Sequence, residues 1–343
     1  MAMDPGRTEE EVRVSTVELF FDLVFVFTLT QLTALLADDL SAEGALRVGL
    51  IFTVLFWMYG AYAWATNQVP PDRFGRQALL VCGMAAFLVC ALAIPHAFDR
   101  SGVIFGVGYL FVVVVHSVLY AQGYGWAVLR FAPVNALSAL LVIWAGLVDG
   151  LLAYGLWFAV VLIHTVPPWL VRRSTRFDVR AAHFVERHGL LLIVAFGESV
   201  IAIGVAIDPA QLDAGLLAAA LLALILAAEL WWVYFAHDAE HAEHLLAIAS
   251  GGDRVRYALG GYFYSFVPML LGVVLYLLGQ AAFHSVLRLG PASLRLLVAV
   301  VAAAFAGVGV QASAAAELIG LVLLLAALIA AESRPMRSPI PRS

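Results

Sequence analysis

The sequence contains no lysine, few charged residues and only two cysteines, and each shortage excludes a class of protein. All 19 basic residues are arginines, so no lysine can form the Schiff base of a retinal pigment. Charged residues make up 13% of the 343 residues, against roughly 25% in a soluble domain. The net charge of −5 and the pI of about 6.0 give no indication of a nucleic-acid partner.

The two cysteines, Cys82 and Cys90, lie in one apolar run. On a helix this spacing places them about 12 Å apart along the axis, beyond the reach of a disulfide. We interpret them as packing residues. The sequence also lacks a phosphate-binding loop, a Gly-x-Ser-x-Gly elbow and a dinucleotide fingerprint in the right context, and we expect no cofactor.

The chain is rich in apolar segments that are long enough to span a membrane. Hydrophobic residues make up 63% of the chain, and the mean hydropathy is +0.96. The sequence therefore predicts an all-α, polytopic transmembrane helical bundle of about 10 to 12 spans. The candidate apolar segments are 15–37, 45–66, 77–98, 103–120, 132–147, 151–170, 183–207, 214–235, 255–280, 293–310 and 312–331.

The distribution of arginines predicts the topology. They cluster after the second, fourth, sixth and eighth segments, which places those loops and the N-terminus in the cytoplasm of a cell with an inner (cytoplasmic) membrane. The tail is also rich in arginine and predicts an even number of spans, so one late segment is miscounted or the rule fails there. We divide the chain into a first transmembrane half (1–170), a basic cytoplasmic loop (171–182), a second transmembrane half (183–333) and a short tail (334–343). The two halves are candidates for tandem repeats.

Two carboxylates, Glu18 and Asp22, stand in the first apolar segment. Their spacing of four residues places them on one helical face. An ionised carboxylate facing lipid costs about 2.5–3.5 kcal/mol at the middle of a helix, so this face should point into the bundle. The alternative is that the pair caps the start of the helix, where negative charge is favourable.

A second informative stretch runs from Glu186 to Ser199. Glu198 lies near the middle of the predicted span and is the strongest single candidate for a proton relay or a coupling-ion ligand. Glu186 and Arg187 are typical of an interfacial ion pair. We expect Gly189 and Gly197 to allow a neighbouring helix to approach closely, because glycine is the smallest residue.

Three histidines, His237, His241 and His244, share one helical face after the eighth segment. They are weak metal-ligand candidates, and a solvated amphipathic helix is the favoured interpretation. The aromatic cluster of Trp57, Tyr59, Tyr62 and Trp64 is typical of an interfacial belt.

Four stretches resemble the bacterial low-temperature-requirement A family of multi-pass membrane proteins. They are Glu18-Leu-Phe-Phe-Asp-Leu-Val-Phe-Val26, the group Ala65-Thr-Asn67 with Pro71-Asp-Arg73 and Ala93-Ile-Pro95, the stretch from Glu186 through Gly197-Glu-Ser199, and Leu230-Trp-Trp-Val-Tyr-Phe235. The chain departs at Phe266, where the family pattern has a histidine. The resemblance implies a membrane location and a link to growth in the cold, without a settled biochemical activity.

We expect proton-coupled transport or permeation of a small solute or ion, with the pathway formed by Glu18, Asp22, Glu186, Arg187, Glu198 and Ser199. Asn67, Trp231, Trp232 and Tyr234 are expected to support it. The alternatives are a membrane-embedded enzyme acting on a lipid or lipid-linked substrate, and a non-catalytic structural or regulatory protein. The expected partners are the lipid bilayer and an unidentified small solute, ion or lipid, with self-association into a homo-oligomer left open.

Overall fold

The computed structural model describes residues 14–125, 131–166, 179–207, 212–236, 238–270, 272–289, 292–311 and 313–333. Within these ranges the regular structure is entirely helical, which confirms the predicted fold class. The basic loop at 171–182 and the tail at 334–343 fall largely or wholly outside them.

The helices of the first half follow the predicted apolar segments closely. They are α1 (Thr16–Asp38), α2 (Ala42–Gln68), α3 (Phe74–Ala93), α4 (Gly102–Tyr124), α5 (Ala132–Ala145) and α6 (Gly150–Thr165), with a 3₁₀ turn at Ile94–His96 after α3. The helices α5 and α6 are predominantly apolar but shorter than the others of this half.

The second half contains shorter and more broken elements. They are α7 (Ala181–Ala206), α8 (Ala214–Phe235), α9 (Asp238–Ile248), α10 (Gly251–Tyr257), a π-helix (Ala258–Tyr264), α11 (Phe266–Met269), α12 (Val273–Leu287), α13 (Ser293–Gln311) and α14 (Ala314–Glu332). In the described part of the chain, seven helical stretches are long and apolar enough to cross a membrane, and shorter apolar helices accompany them. The chain is an integral, multi-pass membrane protein.

Large apolar side chains cover the outside of the bundle as well as its core. Phe74, Leu151 and Val205 are more than four-fifths exposed in the isolated chain. Such exposure would be unfavourable in water, and in a bilayer these side chains contact lipid.

The predicted single segment at 255–280 is wrong, because the chain reverses direction inside it. The π-helix and α11 pack antiparallel to α12: a Cβ added at Gly260 would meet Val286, and one added at Gly279 would meet the backbone of Ser265. The reversal includes Gly272, whose φ of 134° is a conformation that a side chain disfavours. Periodicity could not find this turn, because apolar residues flank it on both sides.

The contacts of Arg295 show at which end of the bundle the last helix ends. Arg295, near the start of α13, donates from Nη1 to Asp238 Oδ2 (2.5 Å) and from Nε to Glu332 Oε1 (2.9 Å). Asp238 immediately follows α8, and Glu332 is the last residue of α14. The end of α14 therefore lies at the same end of the bundle as the end of α8.

The core is centred on α2, and this overturns the expected aromatic belt. Tyr59 and Tyr62 are fully buried, and Tyr62 donates its hydroxyl hydrogen to the carbonyl of Val112 on α4 (2.9 Å). Phe21 of α1 stacks on the Tyr62 ring at 5.0 Å between centroids. Aromatic rings with internal hydrogen-bond partners fill the bundle here and do not lie at its rim.

Candidate functional site

The main polar site is a buried ion cluster between α1, α2 and α7. Arg187 of α7 is only 1% exposed. Its Nη1 donates to Glu18 Oε1 at 2.8 Å, and its Nη2 donates to Asp22 Oδ1 at 3.3 Å. The structure therefore brings together the acids of the first predicted segment and the arginine of the second informative stretch.

Glu18 has two sets of partners. Its Oε2 accepts from the backbone N–H of Ser15 (3.0 Å) and from the Ser15 hydroxyl (2.7 Å), which forms the capping arrangement at the start of α1. On its other side it contacts Arg187 and, at 3.3 Å, the Nε2 atom of His183. Glu18 thus caps the helix and belongs to the ion cluster, so the two interpretations of this residue do not exclude each other.

Asp22 lies one turn deeper and is completely buried. Its Oδ1 accepts from the Tyr59 hydroxyl (3.0 Å) and from Arg187, whereas its Oδ2 is buried without a hydrogen-bond partner among the described residues. Since α1 begins at Thr16, Asp22 lies beyond the first turn, where the effect of the helix dipole has faded. Helix capping does not explain this carboxylate.

The polar end of α2 holds the start of α7 in place. Asn67 donates from Nδ2 to the carbonyl of Arg180 and accepts at Oδ1 from the N–H of Arg180, both at 3.0 Å. The same Nδ2 lies 3.2 Å from Nδ1 of His183. Thr66 accepts a hydrogen bond from Arg187. These contacts hold His183 and Arg187 toward α1, and the supporting role of Asn67 in a pathway stays a prediction.

The cluster holds two carboxylates and one permanent cation. Glu18 and Asp22 share the Arg187 guanidinium, which also lies 5.6 Å from the centre of the Phe21 ring, and the His183 imidazole beside Glu18 adds a positive charge only when it is protonated. An uncompensated charge in a medium of low dielectric is costly, and a carboxylate relieves the cost by binding a proton or a cation.

Glu198 forms a separate polar contact further along the same interface. The Thr30 hydroxyl of α1 donates to Glu198 Oε1 at 2.6 Å. Glu198 is eleven residues beyond Arg187, about 16 Å along the helix axis. Because Glu18 meets Arg187 and Thr30 meets Glu198, α1 and α7 run in the same direction. Glu198 is half-buried and Ser199 is exposed, its hydroxyl bonded to the Ala195 carbonyl.

Glu186 does not pair with its neighbour Arg187, contrary to the expected interfacial ion pair. It is exposed and accepts from the backbone N–H of Val14 at 3.2 Å. It also lines an open groove of about 390 Å³ between α7, the end of α8 and α9. Gly189, on the groove floor, lies where an added Cβ would be 3.2 Å from the Phe235 ring, so the expected close approach holds there. It does not hold at Gly197, where an added Cβ would have no atom of the described residues within 4 Å.

The aromatic residues of α8 divide into two groups. Trp231 and Trp232 are substantially exposed on the outer face, whereas Tyr234 is fully buried against Phe266 and Phe283. Among the described residues, their ring contacts are with one another and with Phe235, Phe266 and Phe283, and not with the ion cluster. Their expected supporting role remains a prediction.

The histidine-rich helix is mostly solvated. His241 and His244 are exposed on α9, and His237 lies outside the described residues. In the part of the chain that the structure describes, no group of three or more His, Cys, Asp or Glu side chains is arranged to hold a metal ion. Asp238 departs from the expected solvated face, because it is buried against Arg295 and His284.

Sequence reasoning missed several functional candidates. Tyr59 was assigned to the aromatic belt and not to a polar site. No sequence pattern around His183 indicated that its side chain would contact Glu18. Glu229 was also missed; it stands in the apolar helix α8, and its Oε2 is buried without a partner among the described residues. A lone carboxylate in an apolar run was the available signal for Glu229.

A family model described as bacterial low temperature requirement A protein matches residues 13–275. The chain belongs to this family. Glu18, Asp22, Tyr59, Arg187 and Glu198 all lie inside the matched region.

An uncharacterized protein of Rhizobium meliloti (strain 1021) is 30% identical over 246 residues. The match covers 67% of this chain and 60% of the relative's length. The chain thus covers less than two thirds of that relative, and activity and partners are matters for proposal.

Proposed function

We propose that this low temperature requirement A protein is a proton-coupled transporter of a small solute or ion, and that Asp22 carries the coupling proton. One observation carries the proposal: a fully buried carboxylate shares its only cation, Arg187, with a second carboxylate and leaves one oxygen without a partner among the described residues. A structural ion pair would need neither the second acid nor the free oxygen.

The energetic basis is the competition between Glu18 and Asp22 for one guanidinium. Glu18 has the better position, with a 2.8 Å contact to Arg187 and two bonds from Ser15. Asp22 has the longer contact of 3.3 Å and the more apolar surroundings. The proton should therefore reside on Asp22, since desolvation favours the neutral form of the less well paired acid.

The seam between α1 and α7 provides the route. It has the Arg187 cluster near one end and the Thr30–Glu198 pair about 16 Å further along. Val26 lies on the same face of α1 as Asp22 and Thr30, is buried between these two polar levels and forms an apolar barrier between them. Small movements of α7 against α1 would open the route on one side of the barrier at a time, as in alternating access.

The arginines support an N-terminus in the cytoplasm. Arg76 bonds to Pro70 just after α2, and Arg254 bonds to the carbonyl of Val179 just before α7. Both therefore lie at the end of the bundle that contains Glu18, where the positive-inside rule places the cytoplasm. We assign this orientation, in an inner membrane, on that basis.

The test uses proteoliposomes that contain a pH-sensitive dye, an imposed pH gradient and a panel of small organic acids, amines and monovalent cations. Wild-type protein should dissipate the gradient faster than protein-free liposomes with at least one solute. Asp22→Asn and Glu198→Gln should reduce that rate to the protein-free background. The control Asp253→Asn removes an exposed carboxylate of α10 and should leave the rate unchanged. A wild-type rate equal to background with every solute would overturn the proposal.

A further inference from the structure

A groove outside the ion cluster combines an apolar floor with an acidic rim. Its floor is formed by Val185, Gly189, Leu190, Ile193, Phe235 and Ala239, and its rim by Glu186, Glu240 and Glu243. The volume of about 390 Å³ falls in the range of roughly 300–1,000 Å³ that is typical of small-molecule sites. Among the residues that the structure describes, no basic side chain lines it.

The position of the groove relates it to the membrane. Glu186 lies in the second turn of α7, and Glu240 and Glu243 lie on α9, which follows the end of α8. The acids thus mark the end of the bundle where α7 begins. Ile193 lies about 10 Å deeper along α7, is 44% exposed in the isolated chain, and faces the hydrocarbon. The groove has a polar mouth at the membrane surface and an apolar bed below it.

We propose that this groove binds a phospholipid whose headgroup carries a terminal ammonium, such as phosphatidylethanolamine. The ammonium lies among the three carboxylates, and the upper part of one acyl chain lies along Leu190 and Ile193. Charge complementarity selects this lipid over an anionic one, because three carboxylates repel a headgroup of net negative charge. Gly189 deepens the floor, since any side chain there would project toward the Phe235 ring.

The site is independent of the proposed transport. Asp22 and Glu18 do not line the groove, and Arg187 points away from it into the α1 interface. Loss of lipid selectivity and loss of proton flux can therefore be measured separately, and Asp22→Asn should leave lipid binding as in the wild type.

The experiment measures lipid binding by native mass spectrometry of delipidated protein in detergent micelles. The probes are phosphatidylethanolamine, its N-acetylated derivative and phosphatidylglycerol, all with the same acyl chains. Wild-type protein should bind phosphatidylethanolamine about tenfold more tightly than either other lipid, and the double variant Glu240→Gln, Glu243→Gln should lose that preference. Asp253→Asn, an exposed acid elsewhere, should keep it.

A second pair of variants tests the apolar bed. Ile193→Trp would fill the groove and should weaken binding of phosphatidylethanolamine about tenfold. Val205→Trp, at an exposed position of the same helix, should not. Equal binding of the three lipids by wild-type protein would overturn the proposal, as would a preference that survives both the double variant and Ile193→Trp. Tighter binding of the N-acetylated lipid would also overturn it, because that lipid lacks the ammonium.

Discussion

Arg187 Nη1 lies 2.8 Å from Glu18 Oε1, and this contact joins α1 and α7 through two residues that are 169 positions apart in the sequence. The same guanidinium reaches Asp22. Because one guanidinium pairs with two buried acids, the proposed function depends on whether Asp22 is protonated.

Asp22→Asn should separate charge from shape. Asparagine can still accept hydrogen bonds from Tyr59 and Arg187, so the free energy of unfolding should change by about 1 kcal/mol or less. It cannot carry a proton on that oxygen, so growth of a deletion strain in the cold should not be restored although the membrane level of the variant is normal. Full restoration of growth would remove Asp22 from the mechanism.

Glu18→Gln should cost more stability than Asp22→Asn. It weakens the contact to Arg187 and leaves that buried cation with Asp22 alone, a change that costs about 3–5 kcal/mol when a buried pair is broken. Ser15→Ala removes only the hydroxyl contact to Glu18 and should cost about 1 kcal/mol. Thermal unfolding in detergent measures both variants. The reverse order of stability would show that capping, and not the ion cluster, is the main role of Glu18.

The sequence was sufficient for the class of fold and for part of this site. Apolar length predicted the helices, and the cost of a carboxylate in hydrocarbon pointed to Glu18, Asp22 and Glu198. It did not predict that Arg187 would turn to α1, because adjacent residues on a helix point in different directions and the partner lies on a distant segment. The reversal within 255–280 was also beyond sequence reasoning, since the apolar composition continues through it.

Tyr59→Phe should alter the pH dependence of transport more than the stability. The variant removes the hydroxyl that donates to Asp22 Oδ1, and the ionised form of Asp22 loses a stabilising bond. The midpoint of the pH–rate profile should therefore shift upward in the proteoliposome assay. Tyr62→Phe removes a hydroxyl that donates to the carbonyl of Val112 on α4 and not to Asp22, so it should leave the midpoint unchanged. Equal midpoints in the wild type and Tyr59→Phe would contradict the assigned role.

Arg295→Ala should destabilise the C-terminal helices without changing the coupling site. Arg295 is the cation between buried Asp238 and partly exposed Glu332. Among the described residues, its removal leaves Asp238 with His284 as its remaining partner. The expected loss is about 3–5 kcal/mol. Limited proteolysis should cut first in α13 or α14, whereas the exposed control Arg256→Ala should unfold like the wild type. A change in proton flux by the folded fraction of Arg295→Ala would show that the second cluster also takes part in transport.

Glu198→Gln and Thr30→Val should act on the same step. The two side chains share one hydrogen bond of 2.6 Å, and Glu198→Gln is expected to reduce proton flux to background, so Thr30→Val should slow proton flux as well. A wild-type rate in Thr30→Val would indicate that Thr30 takes no part in the step that needs Glu198. Serine at position 30 retains the hydroxyl and is the matched control.

Infrared difference spectroscopy tests the central claim most directly. A buried, protonated carboxylic acid gives a C=O stretching band that is separate from carboxylate bands, and spectra recorded at two pH values report which acid exchanges a proton. We expect a band that changes with pH in the wild type and in Glu229→Gln, and that is absent in Asp22→Asn. A pH-dependent band that persists in Asp22→Asn and disappears in Glu229→Gln would place the exchangeable proton on α8 and contradict the account.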